Sequence, residues 1–182
     1  MALQRGLQGT IARGLPIATA RLIGQHEHVP GRRSLEQRTA DARVILAAVH
    51  TDVWVASGSA DGQPHLVPLS FSWDGVDIFL AMEPDAVTTR NVLLGGRARL
   101  GFGRTRDVVM VDATLREAVP VDEASDDIAA GFARQADWDP RAAGTPFVFV
   151  RLRPERIQVW READEIADRT VMRGGAWLAA SS

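Results

Sequence analysis

Between residues 64 and 91 apolar and polar side chains alternate, turn, alternate again and then change period. Val67, Leu69, Phe71 and Trp73 share one face, and Leu66, Pro68, Ser70 and Ser72 the other, as in a strand. Asp74-Gly75 follows, the dipeptide of a tight type I′ turn, and predicts a two-stranded hairpin. On the return strand Val76, Ile78, Leu80 and Met82 lie on one face, with Asp77, Phe79 and Ala81 on the other. A helix is expected to begin around Thr88, Thr89, Arg90 and Asn91 and to stop at Gly95-Gly96. Two hydroxyls, free backbone N–H groups and a fixed cation at a helix N-terminus make a phosphate site.

The flanking chain repeats these signals. Ser34 with Gln37 three residues on reads as a capping box, opening a helix over 35–49 with Leu35, Ala42, Ile45, Leu46 and Val49 on its apolar side. Residues 52–58 alternate as a strand, and Ser59-Ala60-Asp61-Gly62 is a turn. After a helix over 87–94, residues 97–103 form a strand with Ala98, Leu100 and Phe102 on one face. Gly101 and Gly103 lie opposite, marking either close approach of a ligand or a barrel bulge. A long strand covers 108–119, preceded by Asp107, which is expected to cap its turn or pair with an arginine. Four acids crowd the start of a helix over 121–135, where they favour its dipole. Two strands, 147–153 and 157–161, flank a turn at Pro154-Glu155-Arg156, and Trp177 and Leu178 are expected to pack the tail. The result is a mainly β (α+β) chain: a small six-stranded antiparallel barrel with peripheral helices. Open strand edges in such a barrel call for a homodimer.

Composition narrows the chemistry. The 182 residues suit one domain over 34–182, preceded by a flexible extension over 1–33 that holds one acid and five arginines. There is no cysteine, which removes disulfides, thiolate metal sites and thiol nucleophiles. There is no lysine either: all 21 basic residues are arginine, so Schiff-base chemistry is excluded. A net charge of −2 points away from nucleic acid. No apolar run approaches the ~18–20 residues of a membrane helix, so a cytoplasmic location is the expectation. His26 and His28 are two metal ligands without a third, and His65 reads as a strand-edge residue rather than a base.

The hairpin followed by Thr88-Thr89-Arg90-Asn91, with the closing segment Pro154-Glu155-Arg156-Ile157-Gln158-Val159-Trp160-Arg161, resembles the pyridoxamine-phosphate-oxidase-like split β-barrel flavoproteins, which include F420-dependent reductases. The resemblance spans residues 38–178 and implies a cofactor in a groove between two barrels of a homodimer. It implies phosphate near Thr88, Thr89 and Arg90, a ring along Val67, Pro68, Leu69 and Ser70, and its side chain near Leu80, Ala81 and Met82. Trp160 and Arg169 match the aromatic and the arginine that reach the other subunit's cofactor, although Trp160 also suits a core or interface. FMN is the expected cofactor and F420 the alternative, its acidic tail running along Arg97, Arg99, Arg104 and Arg106. The implied activity is hydride transfer between FMN and an unidentified small molecule. The alternatives are an F420-dependent reductase, a non-catalytic binder of flavin, haem or tetrapyrrole (with His65 or, more weakly, His50 as axial ligand), or a cofactor-free dimer. No histidine follows Trp160, so the Arg-x-His ending that holds vitamin B6 phosphate is missing.

Overall fold

A computed structural model of the protein describes residues 31–179. The compact unit begins at Gly31. The extension and the His26/His28 pair lie outside the described residues up to residue 30.

Among the described residues eight antiparallel strands form one sheet: β1 (Asp52–Gly58), β2 (Pro64–Trp73), β3 (Ile78–Met82), β4 (Arg97–Arg104), β5 (Asp107–Pro120), β6 (Val148–Trp160), β7 (Thr170–Arg173) and β8 (Ala176–Trp177). Their order is β3-β2-β1-β4-β5-β6-β7-β8, and β3 also pairs with β6. The first six therefore close into the expected barrel, and β7 and β8 extend it past β6. Among the described residues three α-helices flank it: α1 (Leu35–Leu46), α2 (Val87–Gly95) and α3 (Asp126–Ala136).

Alternation builds the interior. Val53, Val55, Phe71, Leu100, Val111 and Ile157 are at most 1% exposed and fill the barrel. Phe71 and Phe102 meet edge to face at 5.0 Å. A second core lies between the sheet and α3, where Phe132 sits 5.2 Å from Phe149 and 5.8 Å from Trp138. All five β3 residues are buried, because Ile78, Leu80 and Met82 enter the barrel while Phe79 and Ala81 face α3.

Four local expectations change. The β2–β3 connection is a four-residue loop rather than a two-residue type I′ turn, since Trp73 pairs with Ile78. Only Gly75 in it has positive φ, whereas type I′ needs two such residues. The Asp74 carboxylate instead accepts the N–H groups of Val76 (2.8 Å) and Asp77 (2.6 Å). Val76 is consequently exposed in the loop. α1 stops at Leu46, short of Val49. α3 starts at Asp126 behind the Ser125 cap, leaving Asp122 and Glu123 outside it. The two closing strands are one continuous β6: Asp112 pairs with Arg156 and Ala113 with Pro154, so Glu155 is an extra residue bulged from the ladder. The bulge accommodates a proline that would break a regular strand.

Ion clusters tie remote parts together. Asp77, fully buried, accepts from Arg151 Nε at 2.5 Å and from Arg153, pinning the hairpin loop to β6. Burial opposes its ionisation, yet the two guanidiniums hold its pKa below the usual carboxylate range. Arg33 is buried against Glu165, with Nη2–Oε2 at 2.7 Å, and also reaches Asp41 at 2.7 Å. Asp107 pairs with Arg161 at 3.0 Å and with Arg33 at 3.4 Å, as an arginine partner was expected to do. The segment before α1 is thereby fastened to the start of β5 and to the chain just past the end of β6.

Candidate functional site

Residues 64–70 of β2 pair with the whole of β1, from Gly58↔Pro64 to Asp52↔Ser70. Its pairing with β3 covers only Phe71↔Leu80, Ser72↔Phe79 and Trp73↔Ile78. β3 continues instead with β6, through Ala81↔Phe149 and Met82↔Val148. The two hairpin strands part beyond Phe71, and residues 64–70 keep an edge without a β3 partner. Along that edge Pro68 is exposed, while Val67, Leu69 and Ser70 are half-buried. The Ser70 hydroxyl donates to Asp52 Oδ1 at 3.1 Å.

α2 packs on β1 and β2 at this opening. Its N-cap, Ala86, supplies no side-chain cap, so the first N–H groups of the helix have no side-chain acceptor. Thr88 and Thr89 are buried, and Thr89 Oγ1 donates to the Glu83 carbonyl at 2.7 Å. Arg90 is exposed and donates to the Asp85 carbonyl. Asn91, which sequence reasoning left unassigned, donates from Nδ2 to Ser57 Oγ at 3.2 Å. Its place one position past Arg90 on the buried side of α2 was the available signal. Leu80, Ala81 and Met82 turn their side chains into the two cores, so only their backbone can border the opening.

Trp160 and Arg169 come together elsewhere. Trp160 ends β6 opposite Val108, and the Arg169 guanidinium lies 5.4 Å from its ring centroid. Val159 N–H donates to the Arg169 carbonyl at 2.7 Å. Around the barrel, β1, β4 and β5 stand between β6 and β2 on one side and β3 on the other, and β3 pairs with β6 only over residues 148–152, away from Trp160. The twelve expected site residues thus fall into two groups on one chain.

No protein-family model matches the chain, and no curated protein does. Solved structures do. A heme-binding protein from Mycobacterium smegmatis superposes with a TM-score of 0.55 at 20% identity, over 79% of this chain and 59% of that one. An F420 reductase gives 0.51 at 18%, over 63% and 94%. A pyridoxamine 5'-phosphate oxidase-like protein from Listeria innocua gives 0.51 at 16%, over 69% and 99%. The fold is the split β-barrel.

The split barrel exposes Trp54 (53%) and Leu66 (59%) on its outer face, where Trp54 lies opposite Pro68 and Gly101. Beside them is a groove of about 620 Å³ lined by Ser57, Arg97, Arg99, Asp112, Thr114 and Arg156 among others. Asp112 binds both Arg99 (2.8 Å) and Arg156 (2.7 Å), so one carboxylate is shared between two guanidiniums and the trio keeps a net positive charge. Arg97 and Arg104 have no ion-pair partner among the described residues. His65 is half-buried at the start of β2, and exposed His50 lies 3.6 Å from Asp137. Among the described residues no cluster could hold a metal ion, and no helix is long and apolar enough to cross a membrane.

Proposed function

We propose that this split barrel binds FMN between two copies of itself and moves a hydride between the flavin and a small organic molecule, with F420 as the alternative cofactor. The observation that carries this reading is the unpaired edge of β2 beside the uncapped start of α2. Polar backbone groups without protein partners, next to an apolar strand, suit a planar heterocycle with a phosphorylated tail.

The roles follow from what each group has free. The first N–H groups of α2, the Thr88 hydroxyl and Arg90 hold phosphate, since the Thr89 hydroxyl already serves the Glu83 carbonyl. Two exposed acids, Glu83 and Asp85, precede the helix and oppose that charge. The β2 edge orients the ring. Trp160 and Arg169 of a second copy close over it and exclude water, which puts the exposed Trp54 and Leu66 inside the dimer. When bound, the flavin supplies the two-electron chemistry, so no separate acid–base pair is required of the chain.

Haem or another tetrapyrrole, held without turnover, is the second reading. It draws on His65 at the opening and on the similar heme-binding protein. Absorbance and fluorescence titrations with FMN, F420 and haem separate these readings. Thr88→Ala combined with Arg90→Ala is expected to weaken FMN binding at least ~10-fold, from charge-assisted contacts worth roughly 1.5–3 kcal/mol each. An unchanged FMN affinity in the folded double variant refutes the phosphate assignment, and haem binding without flavin binding replaces the enzyme reading.

A further inference from the structure

Parity along β2 decides which backbone groups its open edge offers. Ser59 N–H donates to the Gln63 carbonyl across the β1–β2 turn. In an antiparallel ladder the hydrogen-bonding residues recur at every second position. With the observed register, His65, Val67 and Leu69 therefore aim N–H and C=O at β1. The far end agrees: Asp74 N–H donates to the Asp77 carbonyl across the β2–β3 loop, and Trp73 N–H points the other way, to Gln135 Oε1 at 2.9 Å. Pro64, Leu66, Pro68 and Ser70 hence face the side that β3 has left. Two of those four are prolines, which have no N–H. Between Leu66 and Ser70 the edge presents the Pro68 carbonyl and no donor.

We propose that Pro68 sets the hydrogen-bonding pattern of the ligand: the edge takes a cyclic amide or imide whose N–H is received by the Pro68 carbonyl and whose adjacent carbonyl is received by Ser70 N–H, and it leaves the second imide carbonyl without a partner from β2. This rests on the flavin reading, because the isoalloxazine pyrimidine ring carries such an imide. A residue with an N–H at position 68 would complete a donor–acceptor–donor row. Pro68 deletes its first member. Prolines on an edge also deter pairing with a stray strand. That explanation treats Pro64 and Pro68 alike, whereas recognition does not: at ~3.3 Å per residue, Pro64 lies ~13 Å from Pro68, beyond the reach of one ring.

The test uses the full chain, Pro68→Ala and Pro64→Ala, each titrated with FMN and with N3-methyl-FMN, together with the reduction potential of bound FMN. The unsubstituted protein is expected to bind N3-methyl-FMN at least ~10-fold more weakly than FMN, because the methyl group removes the donor and leaves the Pro68 carbonyl unpaired. Pro68→Ala is expected to bind FMN about fivefold more tightly, one added hydrogen bond. It is also expected to raise the flavin potential, since a donor to the free carbonyl favours the reduced, more negative ring. Pro64→Ala is expected to match the unsubstituted protein. Equal affinity for the two flavins, or identical behaviour of the two proline variants, overturns this inference and leaves FMN binding standing. Failure of all three folded proteins to bind FMN overturns both proposals.

Discussion

Replacing Glu165 by glutamine removes one charge and keeps the side chain's size at a position only 2% exposed. Its carboxylate receives Arg33 N–H (2.8 Å), Arg33 Nε (3.0 Å), Arg33 Nη2 (2.7 Å) and Arg161 N–H (2.8 Å). The Arg33 hydrogen bonds outweigh burial and lower its pKa from 4.5 to about 2. A shift of that size corresponds to ~3 kcal/mol of folding free energy at neutral pH. The folded value lies below the unfolded one. The stabilisation is therefore complete above the unfolded pKa of 4.5 and drains away as pH falls towards 2. In Glu165→Gln, Arg33 stays buried and keeps only Asp41 at 2.7 Å and Asp107 at 3.4 Å. The arginine left behind keeps the expected loss near ~3–5 kcal/mol rather than less.

Urea unfolding of both proteins across the acid range measures this. At about pH 7 the variant is expected to be ~3–5 kcal/mol less stable, and the gap is expected to narrow as pH falls from 4.5 towards 2. Asp77 also has a lowered pKa, so both proteins lose stability in acid, but that loss cancels in the difference. A gap below ~1 kcal/mol at neutral pH, or one that stays constant into acid, refutes the assignment of this stability to the Glu165 charge.

Gly103 has φ +83° and a Cβ there would run into the Asp107 carbonyl, so Gly103→Ala is expected to cost ~1–3 kcal/mol in thermal melts. Gly101→Ala would meet only the flexible end of Met110, with Sδ at 3.3 Å, and is expected to cost under ~1 kcal/mol; equal losses contradict the geometry. Asp85→Asn removes a negative charge beside the start of α2 and is expected to tighten FMN binding about two- to fivefold, read by fluorescence titration. Trp54→Glu puts a charge into the exposed outer face and is expected to shift sedimentation towards monomer and weaken FMN binding. A fully dimeric variant refutes the placement of that face in the interface.

How far the sequence reveals the fold depends on how local each cause is. Alternation is local, and β1 appears with its expected bounds because Val53 and Val55 face inward while Trp54 faces out. The Ser34 capping box and the Gly96 stop are equally local, and both stand in the structure. β6 shows where local information becomes ambiguous. Leu152 and Pro154 are buried, then Ile157 and Val159, so the inward parity flips. A flip of parity is what one extra residue in a strand produces, but it is also what a turn between two strands produces. Only pairing with β5, which continues on both sides of Glu155, decides between them. The buried charges have no local signature at all. Asp77 meets arginines 74 and 76 residues away, and Glu165 meets Arg33 across 132. The candidate site divides along the same line. Thr88, Thr89 and Arg90 at a helix start are legible from spacing alone. The opening beside them is not, because it exists only where β3 leaves β2 to pair with β6 through Ala81 and Met82. Those two residues were expected to lie near the side chain of a bound ring, and it is their backbone that borders the opening. The pairing that creates the opening is the same pairing that buries them.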